Sequence, residues 1–457
     1  MPPTTVTSAP APPPTAAPPP ATAAPVPPAV PCTVPAGYPT PWPERPRYTA
    51  QLNVDPAARL VTGTLSVRFT PDAATDRLVF RLWANAPRLG RAGSRFEVVA
   101  AFLGDQPIAG TYEGAGAAAG SPGTLYFLPG SFPAGTPVDA RIDFRLAMPG
   151  AVNDRVAQIG NSLRLGSVLP VLSWVRGAGW QSSPAVDAFA EAAASEVADW
   201  DVTVAAPPGF TTLATGTEPA PGRFVAEAVR DWGATVAPMR LAEVPAQGGR
   251  TTVVVGVAEG ASGDPVVLAR RVVDALDKLA ARYGEYPYPR LSMGVTRSLT
   301  GGIEFPTHIH LGSGVSNIHL VHEVAHQWFY GVAGNDQYAH PFLDEGLATY
   351  AEARVVGRMA AQRARAVPTA GRTRLGESMA YWDRQGRIYF LSIYVGGLQA
   401  LAAYGDAIGG YDALDCALRL YHRDRAYTLS RPADLFDALA RHTGVDPRPV
   451  LARFGLS

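Results

Sequence analysis

Cysteine is nearly absent: Cys32 and Cys416 are the only two in 457 residues. That excludes a Cys-ligated zinc ribbon, a CxxC redox motif and a disulfide-dense small scaffold. The two could pair across the chain in an oxidising compartment, but spacing alone does not bring them together. Lysine is scarcer still, with Lys278 the single one among 39 basic residues, a compositional bias that carries no chemistry. The 39 acidic residues cancel the basic ones, so no positive excess marks a general nucleic-acid binder or a polybasic membrane sensor. Charged residues make up only 17% of the chain. That leaves apolar sequence for two to four cores at roughly 100–200 residues per domain. No run approaches the ~18–20 uninterrupted apolar residues of a membrane span.

What is present is unevenly placed. Residues 1–46 hold 18 prolines, and the first charge is Glu44. Proline fixes φ and removes a donor, and little here can be buried, so the segment reads as a Pro/Ala/Thr-rich disordered linker. It lacks the charged n-region and apolar h-region of a signal peptide. Ala29-Val-Pro-Cys32 carries Pro31 where a lipobox has a small residue. Tethers of this composition follow a signal or lipid anchor in envelope proteins, so the expected location is secreted or cell-envelope associated. The second concentration is of histidine: six of the eight lie between His308 and His340.

From Tyr48 to about Val244 the hydrophobic period is two. Val61, Gly63, Leu65, Val67 and Phe69 alternate with polar residues, as do Val138, Ala140, Ile142, Phe144 and Leu146. Short strands separated by Gly/Pro turns predict an antiparallel sandwich or open barrel over 47–246. Near Gln247-Gly-Gly the character changes. Thr251–Val257 and Leu291–Thr296 read as strands. Ala269, Val272, Val273, Leu276, Leu279, Ala280 and Tyr283 recur at helical spacing up to Gly284. Helical periods dominate beyond Ser316, and Ser430 with Pro432 reads as a late helix start. The second domain, 247–457, is thus an α+β, mainly helical unit with a short helical tail.

That domain holds His322-Glu323-Val324-Ala325-His326. On a helix, residues four apart share a face, so the two imidazoles can ligate one ion while Glu323 reaches a metal-bound water. Ser316 can cap this helix, and Ile318, Val321, Ala325 and Trp328 supply its apolar face. Eighteen residues separate His326 from Glu345, in Leu343-Asp-Glu-Gly-Leu-Ala-Thr-Tyr350. Pro341 stands near the start of this second helix. Glu345 can complete a two-imidazole, one-carboxylate set for a single Zn2+, leaving a fourth position open. A carboxylate also suits a helix N-terminus for purely structural reasons.

Together, His322-Glu-Val-Ala-His-Gln-Trp328, the eighteen-residue gap and Leu343-Asp-Glu-Gly-Leu-Ala resemble the gluzincin metallopeptidases of the aminopeptidase N and leukotriene-hydrolase family. Gly301-Gly-Ile-Glu-Phe-Pro306 is similar to that family's Gly-x-Met-Glu-Asn motif, and Ile393-Tyr-Val-Gly-Gly397 to its Tyr-x-Lys-Gly motif. Tyr283-Gly-Glu-Tyr-Pro-Tyr288 also looks familial. The resemblance implies a β-saddle domain feeding a thermolysin-like catalytic domain, and a zinc aminopeptidase acting on peptides with a free N-terminus. It implies that His322, His326 and Glu345 bind zinc and that Glu323 is the base. Tyr394 would steady the oxyanion, with Tyr389 the alternative, and Glu304 would hold the substrate ammonium. Gly301 and Gly302 would let a substrate strand approach the backbone. The chain departs from the family at Phe305, where Asn is usual, and at Gly396, where Lys is usual. Gln181 is a candidate for a second amine anchor from the β domain. Only about 63 residues follow Tyr394, too few for the large helical cap of long relatives. His308, His310, His319 and His340 read as ordinary polar residues, and Glu352 as a solvated carboxylate or a partner to a ligand. A thermolysin-like endopeptidase and a catalytically inactive binding or scaffold protein are the competing readings.

Overall fold

The alternating first half forms strands with one face in a core. Along β1 (Arg47–Asp55) every second residue is buried, namely Tyr48, Ala50, Leu52 and Val54. In β2 (Leu60–Phe69) and β3 (Val138–Ala147) the two apolar sets face each other in register: Val61 opposite Leu146, Leu65 opposite Ile142, Val67 opposite Ala140. Each such fully buried aliphatic side chain contributes roughly 1.5–3 kcal/mol. Gly63 breaks the series because Phe144 and Leu52 occupy its place. A Cβ there would sit 2.9 Å from both side chains. These strands belong to an eight-stranded sheet. It is antiparallel except where β1 runs parallel to β4 (Ala198–Ala205). Among the described residues, two four-stranded sheets and a two-stranded ribbon, Trp174–Val175 with Gly179–Trp180, complete the N-terminal unit.

This computed structural model describes residues 32, 33, 35, 37–114, 120–189 and 194–457. The disordered linker expected over 1–46 falls mainly outside the described residues.

The second unit is built on a five-stranded sheet. Its strands are β5 (Met239–Ala246), β6 (Thr251–Ala258), β7 (Arg290–Thr296), β8 (Gly302–Phe305) and β9 (His308–Gly312), in the spatial order β5-β6-β7-β9-β8. The sequence places Met239–Ala246 with the first domain. In the structure its hydrogen bonds run to β6, because the hairpin at Gln247–Gly249 folds it back there. Helix α1 (Pro265–Tyr283) crosses between β6 and β7. Asp264 caps it by accepting from the Val266 and Val267 amides, and Gly284, at φ 102°, ends it. Ala269, Val272, Leu276, Leu279 and Tyr283 form its buried stripe.

Two caps differ from expectation. Ser316 does precede helix α2 (Asn317–Ala325), but its hydroxyl meets His319 Nδ1 at 3.0 Å and caps no amide. The late helix Pro432–Thr443 starts after Arg431, not Ser430. Its first turn is closed by Asp434, which accepts from the Arg431 amide at 2.7 Å.

Helices α3 (Leu347–Val356), α4 (Gly397–Ala407) and α5 (Tyr411–Asp424) pack behind the metal-motif helix. The continuous run Ile388–Ala407 is long and apolar enough to span a membrane by length and composition alone. Two thirds of it is buried inside the protein, as in a core helix. Cys32 and Cys416 are joined, with Cα atoms 5.6 Å apart. The segment that follows straps both units: Gly37 accepts from Arg423 in α5, Tyr38 donates to the Glu285 carbonyl, and Arg45 pairs with Asp199 in β4.

Candidate metal centre and active-site cleft

Helix α2 carries His322 and Glu323, and His326 follows as its C-cap, still at helical φ −62° and ψ −16°. The one-turn stagger therefore survives, and the two imidazole centroids lie 4.7 Å apart. Glu345 arrives from a wider helical turn, Phe342–Gly346, with π-type hydrogen bonding. Such turns insert an extra residue per turn and re-aim side chains, which is why they recur at functional sites. A second π-type turn, Leu391–Gly396, presents Tyr394. The two turns can touch because each is followed or ended by glycine. A Cβ on Gly397 would lie 2.8 Å from the Gly346 Cα. This close approach lets the Tyr394 hydroxyl donate to Glu345 Oε1.

His322 Nε2, His326 Nε2 and Glu345 Oε2 converge. Their separations are 3.0 Å (His322 to Glu345), 3.1 Å (His322 to His326) and 3.4 Å (His326 to Glu345). Two ligands ~2.0–2.1 Å from a tetrahedral zinc stand about 3.3 Å apart, so the donor set fits that ion in both chemistry and spacing. The remaining ring nitrogens are also held. His326 Nδ1 lies 2.9 Å from Asp344 Oδ1, and Gln337 donates to the other Asp344 oxygen at 2.7 Å. His322 Nδ1 faces Glu352 at 4.0 Å. The Asp344 contact fixes the His326 tautomer that leaves Nε2 free to bind a metal. Burial opposes ionisation of Glu345, but the hydrogen bonds from His322 and His326 outweigh it and hold the carboxyl below its ordinary range. Burial pushes Glu352 up to about 7, against the pull of Arg358 and Arg365.

Glu304 projects from β8, the outer strand of the sheet. A carboxylate oxygen of Glu304, one of Glu323 and a ring nitrogen of His326 lie within 4.8 Å of one another. Strand alternation sends the next residue, Phe305, to the opposite side. There it fills the seam with the N-terminal unit, against Gly166 and Gly233, where any Cβ would come within 2.5 Å of its ring. The Phe305 departure therefore serves interdomain packing. The two glycines divide their roles. A Cβ at Gly301 would meet nothing within 4 Å, which leaves the backbone open to a substrate. At Gly302 it would meet Glu323 Cγ at 2.3 Å, so that glycine makes room for the carboxylate and not for substrate. Gly302→Ala should thus displace Glu323 by about an ångström and lower kcat roughly a hundredfold. Zinc content, read by atomic absorption, should stay at the wild-type value.

These side chains line one cavity of about 650 Å³, within the usual range for small-ligand sites. It takes in Glu304, Glu323, His322, His326, Glu345 and Tyr394 together with Gly301 and Gly302. Tyr394 stacks on the His322 ring at 5.5 Å. Tyr389 is buried among Trp382, Phe390 and Tyr394 and does not line the cavity. Gln181 faces a different, interdomain pocket of about 860 Å³ and donates to the Gly179 carbonyl. Among the described residues of the N-terminal unit, those that reach the cleft are Arg88, Asn153 and Phe189. Asn153 exchanges two hydrogen bonds with Thr300, next to the glycines. No local pattern in the sequence marks these three, since each is a single loop or helix residue far from the motif. Asp344 had a signal, an acid directly before a ligand. His308 and His310 are buried in the domain seam, bonded to Ser292, Thr235 and the Ala234 carbonyl. Burial drives both far towards the neutral form, His310 to about 3. His319 lines the cleft, and His340 lies in the loop before Pro341.

Neither a family model nor a curated protein sequence matches the chain. Its structure is similar to that of an M1 zinc metallopeptidase from Deinococcus radiodurans. Identity is 17% and the TM-score 0.63, with 92% of this chain and 96% of that one covered. It is similar too to a variant M1 zinc metallopeptidase from that organism bound to a Tyr-Ser-Ala substrate, at 17% identity, a TM-score of 0.65 and the same coverage. A two-domain M1 zinc metallopeptidase variant bound to L-tryptophan matches at 18% identity and a TM-score of 0.66, again over 92% and 96%. The chain therefore has the two-domain M1 metallopeptidase fold, a sheet-rich N-terminal unit before a mainly helical one.

Proposed function

We propose that the chain is a zinc metallopeptidase, and within that class an aminopeptidase that removes N-terminal residues from peptides. The observation that carries the reading is the convergence of His322 Nε2, His326 Nε2 and Glu345 Oε2 beside the Glu323 carboxylate. Those three residues would hold the ion, which when bound supplies a Lewis acid for water and for the peptide carbonyl. Glu323 accepts the proton of the attacking water and returns it to the departing amine. The Tyr394 hydroxyl, whose single proton bonds Glu345 Oε1, would turn from it to meet charge developing on the carbonyl oxygen. Glu304, buried on the outer strand, pairs with the α-ammonium, and the open backbone at Gly301 accepts the peptide alongside. A binding or scaffold role would give a buried base next to three convergent ligands nothing to do.

The finer reading rests on Glu304. Burying one carboxylate at the N-terminal end of the cleft favours a cation there and leaves an acetylated or internal peptide with nothing to pair with it. Wild type should hydrolyse free peptides about a hundredfold faster in kcat/KM than their N-acetylated forms, the scale of one buried charge pair. Glu304→Gln should remove most of that preference. Equal rates on free and acetylated peptides would instead mark an endopeptidase with the same metal site. The Cys32–Cys416 disulfide and the proline-rich segment ahead of it support an oxidising location, outside the cell or in its envelope.

A further inference from the structure

The cleft is electrically bipolar, and its second pole has no part in the chemistry proposed above. The order of groups along it follows from their contacts. Glu304 sits with Glu323 and His326; His326 touches His322; His322 faces Glu352. Beyond Glu352, and acting on its carboxylate, come the guanidinium groups of Arg358 and Arg365. Both line the same cavity as Glu304. Among the charges that act on His326, at the Glu304 end, are Glu304 and Asp344.

Local structure puts the arginines there. Helix α3 ends at Gly357, whose left-handed φ of 71° turns the chain back, and the Arg358 amide closes the turn on the Ala353 carbonyl at 2.9 Å. Among the described residues, nothing accepts a hydrogen bond from the Arg358 side chain, and Arg365 donates only to Gln362, at 3.3 Å. The third cation of the cavity, Arg88, is already engaged by Asp154 at 3.3 Å and by the Phe189 ring. Two arginines thus line the cavity with donor capacity left for an incoming anion. Guanidinium groups match a carboxylate with paired, charge-assisted hydrogen bonds.

We propose that Arg358 and Arg365 bind the C-terminal carboxylate of short peptides, so that the cleft selects zwitterionic di- and tripeptides by both ends. This rests on the peptidase reading and adds the substrate class to it. In a cavity of about 650 Å³, a peptide whose ammonium meets Glu304 and whose first peptide bond meets the metal residues extends towards the arginines. At ~3.3–3.6 Å per residue, only short chains end within the cleft.

The test compares di-, tri- and hexapeptides, each as free acid and as C-terminal amide, using the zinc-loaded full chain. For di- or tripeptides, wild type should favour the acid over the amide in kcat/KM at least about tenfold, the factor one charge-assisted hydrogen bond supplies. The difference should lie mainly in KM, vanish for hexapeptides and shrink at high salt. In Arg358→Gln/Arg365→Gln the acid-to-amide ratio should fall to near one, and the double Lys variant should restore part of it. Because the ratio is taken within each variant, a partial folding defect cancels. Equal wild-type rates on acid and amide, or a ratio unchanged in the Gln variant, would overturn the assignment while leaving the peptidase reading intact. Hydrolysis of no peptide at all would overturn both.

Discussion

Glu323→Gln should lower kcat on any aminoacyl reporter by about 10³-fold or more while zinc content stays at the wild-type level. The substitution keeps shape and volume and removes only the negative charge and the ability to accept a proton. Glu323 is buried on α2, directly after the proposed ligand His322, so it has no freedom to be replaced by a mobile neighbour. A neighbouring carboxylate, Glu304, is on a strand and has the proposed role of pairing with the substrate ammonium. Atomic absorption and kcat measured on one preparation separate the base from the metal site. Activity within tenfold of wild type, with zinc bound, would remove Glu323 from the mechanism.

His326→Ala should abolish both activity and stoichiometric zinc, and chelation of the wild type should do the same reversibly. Losing one of three ligands leaves two donors and breaks the link through Nδ1 to Asp344. Removing Asp344 alone should weaken zinc by about 10–100-fold, since it only orients the ring. The metal effect also has a readout independent of catalysis. A ligand that binds only the folded state stabilises it by about 4 kcal/mol at a thousand times its Kd. Zinc should therefore raise the thermal unfolding midpoint of wild type. It should leave His326→Ala unmoved. A zinc-dependent rise retained in that variant would place the ion elsewhere.

What could be read beforehand was what depends on near neighbours in sequence. The His322–His326 pair is set by helical stagger, and the β2 and β3 cores by simple alternation, and both are visible in a dozen residues. Glu345 was legible from spacing, although the π-type turn that aims it was not, because that turn depends on Gly346 packing against Gly397 from another helix. Other features needed the fold itself. The parallel pairing of β1 with β4 joins segments about 150 residues apart. Asn153 and Phe189 enter the cleft only because the two units meet there. The reason for Phe305 lies in two glycines of a different domain. Ser316 shows the opposite error: residue type and position suited a cap, but the nearby His319 ring competed for the hydroxyl.

The disulfide closes the chain on itself. Cys32 and Cys416 are 384 residues apart, so nearly all of both units lies inside one covalent ring. A single backbone cut anywhere in that ring opens it without dividing it. The clipped protein remains one molecule, its halves still joined through sulfur and through the interdomain seam, and separates only on reduction. The bond makes a first cleavage a change of topology and not a loss of mass.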